Sequence, residues 1–215
     1  MKPLLLAAAF AVTVAGCAST APTMRADNPY TPQADCVPSI SQLRAQPLPP
    51  ASGRGSRLDF RADAQCIAPA GFEPEPALLY RIAGMPTPLA VRAILFTEGD
   101  NALAVGVTVL DEQFVEIEHF GFDRFQQRGA DYRLDAFINP GARAAHYLLL
   151  SPDRAWLNRR TQQVSGSRWV TPIVTPTVVG AYADGTEATR GIRFRDLGAL
   201  TLSVTPDVPA AATGK

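Results

Sequence analysis

The stretch that decides the fold runs from Leu89 to Leu110. Its first part, Leu89–Thr97, reads LAVRAILFT, and its second part, Ala102–Leu110, reads ALAVGVTVL. Between the two parts lies Glu98-Gly99-Asp100-Asn101, a cluster of residues typical of a turn. The second part is nearly all apolar and rich in β-branched residues, so it predicts a strand that is buried on both faces. The two parts therefore predict two strands separated by a turn.

Further extended segments are predicted along the rest of the chain, and in four of them, Arg57–Arg61, Phe114–Phe120, Tyr132–Ile138 and the last, polar and apolar residues alternate with a period of two. These segments are Arg57–Arg61, Ala77–Ala83, Phe114–Phe120, Tyr132–Ile138, Ala144–Leu150 and part of Ile192–Val204. About eight short strands at regular spacing are typical of an all-β protein. We therefore predict an antiparallel β-sandwich, of which the jelly roll is one form.

Two segments depart from this pattern. Ser151-Pro152-Asp153 combines a capping residue, a first-turn proline and an acidic residue, which predicts one short helix that ends near Gln163. Thr171–Val179 (TPIVTPTVV) is interrupted by prolines, so it predicts an extended crossing segment and not a central strand. The 19 prolines and 16 glycines of the 215 residues agree with many turns and few long helices.

The first sixteen residues have the features of an export signal. A basic start precedes an apolar core of about a dozen residues, which is too short to span a bilayer as a helix. The core ends in Val14-Ala15-Gly16-Cys17, which resembles the lipobox of bacterial lipoproteins. We predict lipidation of Cys17; an ordinary signal peptide that is cut nearby is the alternative. Ala18 in place of an aspartate favours the periplasmic face of the outer membrane.

This leaves a simple domain organisation. We predict a lipoprotein signal peptide at residues 1–16, a lipidated cysteine and flexible tether at 17–35, a single β-sandwich domain at 36–207 and a disordered tail at 208–215. Cys36 and Cys66 form an even pair in an oxidising compartment, which predicts a disulfide bond. Two free thiols or a metal pair are the alternatives, although the absence of a nearby histidine makes a poor zinc site.

The net charge and the absence of common catalytic motifs exclude several classes of function. The 20 basic and 20 acidic residues give a net charge of zero, which argues against nucleic acid as a partner. No HExxH, GxSxG, Gly-rich phosphate loop or EF-hand loop occurs. Ser165-Gly166-Ser167 near Arg168 could mimic a nucleophile turn, but the sequence implies no base. We therefore expect a non-enzymatic protein with no cofactor and no metal.

Two weaker arrangements of polar residues stay open. His119 and His146 could meet across strands and bind a metal with Asp123 or Glu118, although a partly buried strand position is the commoner role for His119. Glu116 and Glu118 share one strand face and could be the acid and base of a glycosidase. Such a pair is more often the solvated face of an outer strand.

Aromatic residues predict the candidate ligand site. Trp156, Trp169 and Tyr182 lie in or beside the predicted helix and the Pro-rich segment, and Arg168 and Asp184 are neighbours. Flat aromatic faces bury the apolar face of a sugar ring, while arginine and aspartate bind its hydroxyls. A structural role is the alternative for both tryptophans, with Trp156 anchoring the helix to the sheet.

Several stretches, taken in order, resemble the maltose-operon periplasmic protein (MalM) family. They are Tyr80–Ala83, Leu89–Ala93, Val107–Asp111, Tyr132–Asp135, Ala145–Ser151, the Ser-Pro-Asp-Arg run, the Pro-rich segment before Gly185 and Gly198–Val204. The resemblance covers roughly residues 36–205 and rests on order and spacing, not on a catalytic motif. Members of the family carry a further C-terminal helical tail, whereas this chain stops soon after Pro206. Members also need not carry a lipobox, whereas this chain has a lipobox-like sequence.

The resemblance implies an envelope protein linked to maltose or maltodextrin uptake, without enzymatic activity, and it supplies no binding residues. We expect a lipoprotein that is accessory to this uptake and has a maltodextrin or a transport component as its partner. The alternative is a structural or assembly module that binds another envelope protein through a sheet edge. A weaker likeness to β-sandwich modules that follow secreted peptidases supports the sandwich, not a function.

Overall fold

The structure, a computed structural model, describes residues 35–48, 55–139, 141, 143–174 and 179–207. The predicted signal peptide, the lipidated Cys17, nearly all of the tether and the tail lie outside these residues. The described chain forms two 3-10 helices, Ile40–Gln42 and Phe122–Arg124, and fifteen strands. The strands are β1 Gln46–Pro47, β2 Ser56–Asp59, β3 Gln65–Ile67, β4 Glu75–Arg81, β5 Leu89–Leu95, β6 Thr97–Glu98, β7 Asn101–Leu103, β8 Val105–Leu110, β9 Glu116–Phe120, β10 Gln126–Arg128, β11 Asp131–Ile138, β12 Tyr147–Pro152, β13 Arg160–Val174, β14 Val179–Arg195 and β15 Ala199–Pro206.

Two sheets make the sandwich. The first, sheet 1, has the order β1-β4-β12-β8-β9, with β3 also paired to β4. The second, sheet 2, has the order β10-β11-β5-β15-β2. Apart from the parallel β1–β4 pair, the neighbours in both sheets are antiparallel. In chain order, β4, β5, β8, β11, β12 and β15 alternate between the two sheets as the strands of a jelly roll do. The two longest strands belong to a third sheet, which has the order β13-β14-β7-β6. The predicted all-β sandwich is confirmed.

The alternation in β5 explains why it occupies the centre of sheet 2. Leu89, Val91 and Leu95 are buried between the sheets, while Arg92 points to solvent. The β8 strand is buried along its whole length, as its continuous apolar sequence predicts. Burial of these alternating side chains is the main favourable contribution to the fold, at about 25 cal/mol for each Å² of apolar surface removed from water.

A second, smaller apolar cluster lies on the other face of sheet 1. We name residues 36–47 the N-terminal strap, because they cover this face. Leu43 of the strap packs there with Leu79 of β4 and Leu149 of β12. The disulfide bond between Cys36 and Cys66, confirmed here, ties the strap to β3, with the two Cα atoms 4.5 Å apart. Because of the strap, β4 is buried on both faces.

The helix predicted from Ser151 to about Gln163 is wrong. Pro152 instead ends β12, where it pairs with Val105 of β8. Asp153 then begins a turn, and its carboxylate accepts hydrogen bonds from two backbone N–H groups, as a capping residue does. The local signals of a helix start and of a tight turn are the same residue types, and the pairing between strands decided between them.

The Pro-rich segment is part of a long hairpin and not a crossing, so this prediction is also wrong for its described residues. Strands β13 and β14 pair from Arg160 opposite Arg193 to Val174 opposite Val179. Pro172 is accommodated because β13 is the edge strand of the described part of its sheet, and edge strands are where sheets tolerate proline. Ser165-Gly166-Ser167 likewise lies within β13 and forms no turn.

Candidate functional site

Trp156 packs against the edge of the hydrophobic core, close to the base of the β13–β14 hairpin. Its ring lies edge-on to Phe122, with 5.3 Å between the ring centroids, and to Phe194, at 5.6 Å. The Arg159 guanidinium lies over its other side, 5.1 Å from the centroid. The side chain is half-buried. Trp156 therefore anchors the turn that follows β12 to the sandwich, which is the structural alternative considered for it.

The other four predicted ligand residues lie along the hairpin. Trp169 pairs with Asp184, while Arg168 and Tyr182 occupy neighbouring register positions. The structure describes only the backbone at these positions. Trp169 lies nine residues beyond the start of β13, which corresponds to roughly 30 Å of strand. The pairing thus brings four of the five residues together and leaves Trp156 at the base; their role in ligand binding stays a prediction.

The histidine and glutamate arrangements do not converge on a metal. His119 is exposed, and its Nδ1 lies 2.8 Å from the Thr108 hydroxyl oxygen. His146 lies just before β12, where its backbone N–H bonds to Leu110. Among the described residues, no group of three His, Cys, Asp or Glu side chains could hold a metal ion. Glu116 is exposed at the start of β9, as expected for a solvated strand face.

A groove crosses the outer face of sheet 2. Its cavity volume is about 600 Å³, and we name it the outer groove. It is lined by Gly55, Arg57, Arg92, Ile94, Phe96, Thr201 and Ser203. Five of these residues occupy the outward positions of three neighbouring strands, while Gly55 precedes β2 and Phe96 follows β5. The alternation that buries the core therefore also builds the groove.

Strand register sets the spacing of these side chains. Thr201 of β15 lies opposite Ile94 of β5 on one side and Arg57 of β2 on the other. Ser203 lies opposite Arg92 in the next outward row. Directly opposite side chains in an antiparallel pair lie about 5 Å apart. The groove therefore presents two hydroxyl groups and two guanidinium groups around two apolar side chains, those of Ile94 and Phe96.

The arginines of the groove are held by carboxylates and an aromatic ring. The Arg92 Nε donates to Asp135 of β11 at 2.7 Å, and Arg133 donates to the same carboxylate. Burial raises the pKa of Asp135, but the hydrogen bonds and charges of the two arginines outweigh it and hold this pKa below its ordinary value. The Arg57 guanidinium lies over Phe96, 5.0 Å from the ring centroid. These contacts fix the direction of the donors at the groove.

Sequence reasoning missed the outer groove. Its residues are the outward members of predicted strands, and their alternation could have identified them as a set. The order of strands in the sheet was the missing information, because β2, β5 and β15 are far apart in the sequence and become neighbours only in the fold. The sequence prediction relied on aromatic residues, and Trp169 and Tyr182 placed the predicted ligand site on the hairpin instead.

Comparison of the chain with protein-family models, with curated proteins and with solved structures finds no match. In the described part of the chain, no helix is long and apolar enough to cross a membrane.

Proposed function

We propose that this protein is a non-enzymatic outer-membrane lipoprotein that faces the periplasm, is accessory to maltose or maltodextrin uptake, and binds the sugar in the outer groove. The anchoring part of the proposal is supported by the lipobox-like sequence that ends at Cys17. Several acyl chains on one cysteine form a stable anchor. The uptake part is supported by the family resemblance of the strand segments.

The observation that carries sugar binding is the mixed lining of the outer groove. Thr201 and Ser203 supply hydroxyl groups, each of which can donate and accept hydrogen bonds. Arg92 supplies further donors, and Ile94 offers an apolar surface between them. A sugar ring has an apolar face and a rim of hydroxyl groups, so this lining suits it. A cavity of about 600 Å³ also lies within the usual range for small-molecule sites.

Titration calorimetry with maltotriose and maltoheptaose tests sugar binding. Thr201→Val keeps the shape of the side chain and removes its hydroxyl, so we expect roughly tenfold weaker binding. Thr205→Val is the matched control, since Thr205 lies on the same strand, is exposed and does not line the groove. No binding by the wild type, or equal loss in both variants, would reject the groove as a sugar site.

The anchor is tested separately. We expect Cys17→Ser to release the protein from the membrane fraction and to abolish incorporation of labelled palmitate. Globomycin should block processing of the wild type for the same reason. A Cys17→Ser protein that stays in the outer membrane would reject the lipid anchor and leave the sugar result unaffected.

The hairpin favours a second candidate function, an assembly module for another envelope protein. Among the described residues, β14 pairs with β7 at Arg193–Arg195 alone, so most of the hairpin consists of two strands without a third beside them. Isolated two-stranded hairpins have marginal stability in water. A strand of a partner protein could add to the β13 edge and supply the missing backbone hydrogen bonds.

Photo-crosslinking in cells separates the two functions. A crosslinking residue at Val164 of β13, which is 53% exposed, should capture a protein if the edge is an interface. The same residue at Phe137 of sheet 2, which is 56% exposed, is the control. A partner captured at Val164 alone favours the assembly module. Equal capture at both positions, or none at Val164, argues against it.

A further inference from the structure

A second cavity of about 520 Å³ lies where the base of the hairpin meets the edge of sheet 2. We name it the basal cavity. It shares Phe96 with the outer groove but is otherwise lined by different residues. Arg160 of β13 and Arg193 and Arg195 of β14 form one side, and Arg61 after β2 forms another. The outer groove does not contain these four arginines.

Arginines outnumber carboxylates in the lining of the basal cavity. The lining holds four arginines and three carboxylates, those of Glu98, Asp100 and Asp196. Ion pairs hold part of this charge, with Arg61 3.4 Å from Glu98 and two arginines outside the lining, Arg57 and Arg190, 3.7 Å from Glu98 and 3.8 Å from Asp100. The lining therefore carries one guanidinium group more than carboxylates, although the whole chain has a net charge of zero. This local excess of positive charge favours an anion.

The backbone holds the arginines of β14 in a fixed arrangement. Ile192 and Phe194 are buried in the core, so the alternate residues Arg193 and Arg195 share the opposite face of the strand. The Arg195 Nε donates to the Asn101 side-chain oxygen at 3.1 Å, across the parallel β14–β7 pair. Donors on a rigid strand that are already oriented lose little entropy when a ligand binds.

We propose that the basal cavity binds a phosphate group. Guanidinium forks match phosphate oxygens in bidentate geometry, and a phosphomonoester carries −1.5 to −2 charges at neutral pH, which suits the local excess of positive charge. The volume accommodates a phosphate with a hexose-sized substituent. The phosphate comes from a soluble sugar phosphate, which is a monoester, or from an anionic phospholipid headgroup, which is a singly charged diester, and both present phosphate oxygens to guanidinium groups. This proposal does not depend on sugar binding in the outer groove.

Two substitutions test the site by different means. Gly191→Val places a larger side chain in the lining of the cavity, and a Cβ added to Gly191 meets no atom within 4 Å, so the substitution narrows the cavity without a clash. Arg160→Gln removes one positive charge from an exposed strand position. Thr189→Ile enlarges an exposed side chain of the same strand outside the cavity, and Arg128→Gln removes an exposed arginine elsewhere. These two are the matched controls for size and for charge.

The exported chain carrying Cys17→Ser is titrated with glucose 6-phosphate, with glucose as the neutral control, and is mixed with phosphatidylcholine vesicles with and without phosphatidylglycerol. We expect binding to one phosphate probe that weakens at least about tenfold in Gly191→Val and Arg160→Gln and is unchanged in the controls. Response to glucose 6-phosphate identifies a soluble source, and response to the anionic vesicles identifies a lipid source.

Three results would overturn the proposal. They are no binding of either phosphate probe by the folded wild type, equal binding of glucose and glucose 6-phosphate, and phosphate binding that neither test variant weakens. Melting curves of each variant establish that it is folded. If Gly191→Val fails to fold, the comparison of phosphate binding between Arg160→Gln and Arg128→Gln is sufficient to test the proposal.

Discussion

Removal of the disulfide bond should destabilise the domain by a predictable amount. Cys36 and Cys66 are 30 residues apart in sequence. In the chain-entropy treatment, a closed loop of this size stabilises the folded state by about 3.6 kcal/mol. We therefore expect the free energy of unfolding of Cys36→Ala/Cys66→Ala to fall by about 3 to 4 kcal/mol. For a domain of this size, the melting temperature falls by roughly 7 to 14 °C.

The position of the bond adds a local signature to this loss. The strap that it holds covers Leu79 of β4, while Leu78 faces the other sheet. Truncation of a buried leucine costs about 2 to 5 kcal/mol. If loss of the bond loosens the strap, Leu79→Ala costs much less in the background without the disulfide than in the wild type. Leu78→Ala is the matched control and costs the same in both backgrounds.

Urea unfolding followed by fluorescence measures all of these free energies, and the wild type unfolded under reducing conditions should match the double alanine variant. The reasoning is refuted if removal of both cysteines costs less than about 1 kcal/mol. It is also refuted if Leu78→Ala and Leu79→Ala respond equally to the loss of the bond, because the strap would then have no specific dependence on it.

Three further predictions follow from single side chains. Asp153→Ala removes the acceptor of two backbone N–H groups, so the free energy of unfolding in urea should fall by about 1 to 3 kcal/mol. A fall of less than about 0.5 kcal/mol would contradict this prediction. Burial raises the pKa of Tyr80 to about 12, so the unfolded chain ionises first and the wild type loses stability as pH rises from about 10 towards 12. Tyr80→Phe deletes a hydroxyl that has no hydrogen-bond partner among the described residues, so it should show a smaller alkaline loss and no destabilisation at pH 7; an unchanged pH profile counts against this reasoning. The pKa of Asp135 is lowered in the folded protein, so its ionised form stabilises the fold. The free energy of unfolding of the wild type should exceed that of Asp135→Asn by at most about 1 kcal/mol, because the network is exposed. This difference should be present above pH 3.8 and vanish as pH falls through the lowered pKa; a constant difference down to pH 2 would disagree.

The strands were predictable where burial of side chains controls the pattern. Alternation in Leu89–Thr97 and Tyr132–Ile138 predicts β5 and β11 to within two residues, and the continuous apolar run before Leu110 predicts β8. In these segments the strand preference of the local sequence agrees with the conformation that buries the apolar side chains in the core. The disulfide bond was predictable because an oxidising compartment leaves few alternatives for an even pair of cysteines.

The hairpin was not predictable for the opposite reason. Ser151-Pro152-Asp153 carries every local sign of a helix start, yet these residues complete β12 and begin a turn because β8 is available as a partner. Pro172 argues against a central strand and says nothing about an edge strand. The outer groove depends on β2, β5 and β15 becoming neighbours, a property of the topology that no single segment contains.

The disulfide bond also sets how the domain responds to mechanical force. A pull on the chain before Cys36 passes through the bond directly to Cys66 in β3, so the residues between the two cysteines carry no tension. The strap and β2 lie inside this bypassed loop and cannot be peeled from their sheets one residue at a time. The load falls instead on the β3–β4 ladder, where Gln65 pairs with Ala77 at the edge of the buried β4 strand. Force transmitted along the chain from its N-terminal side thus reaches the domain at its covalently reinforced sheet and spares the outer groove.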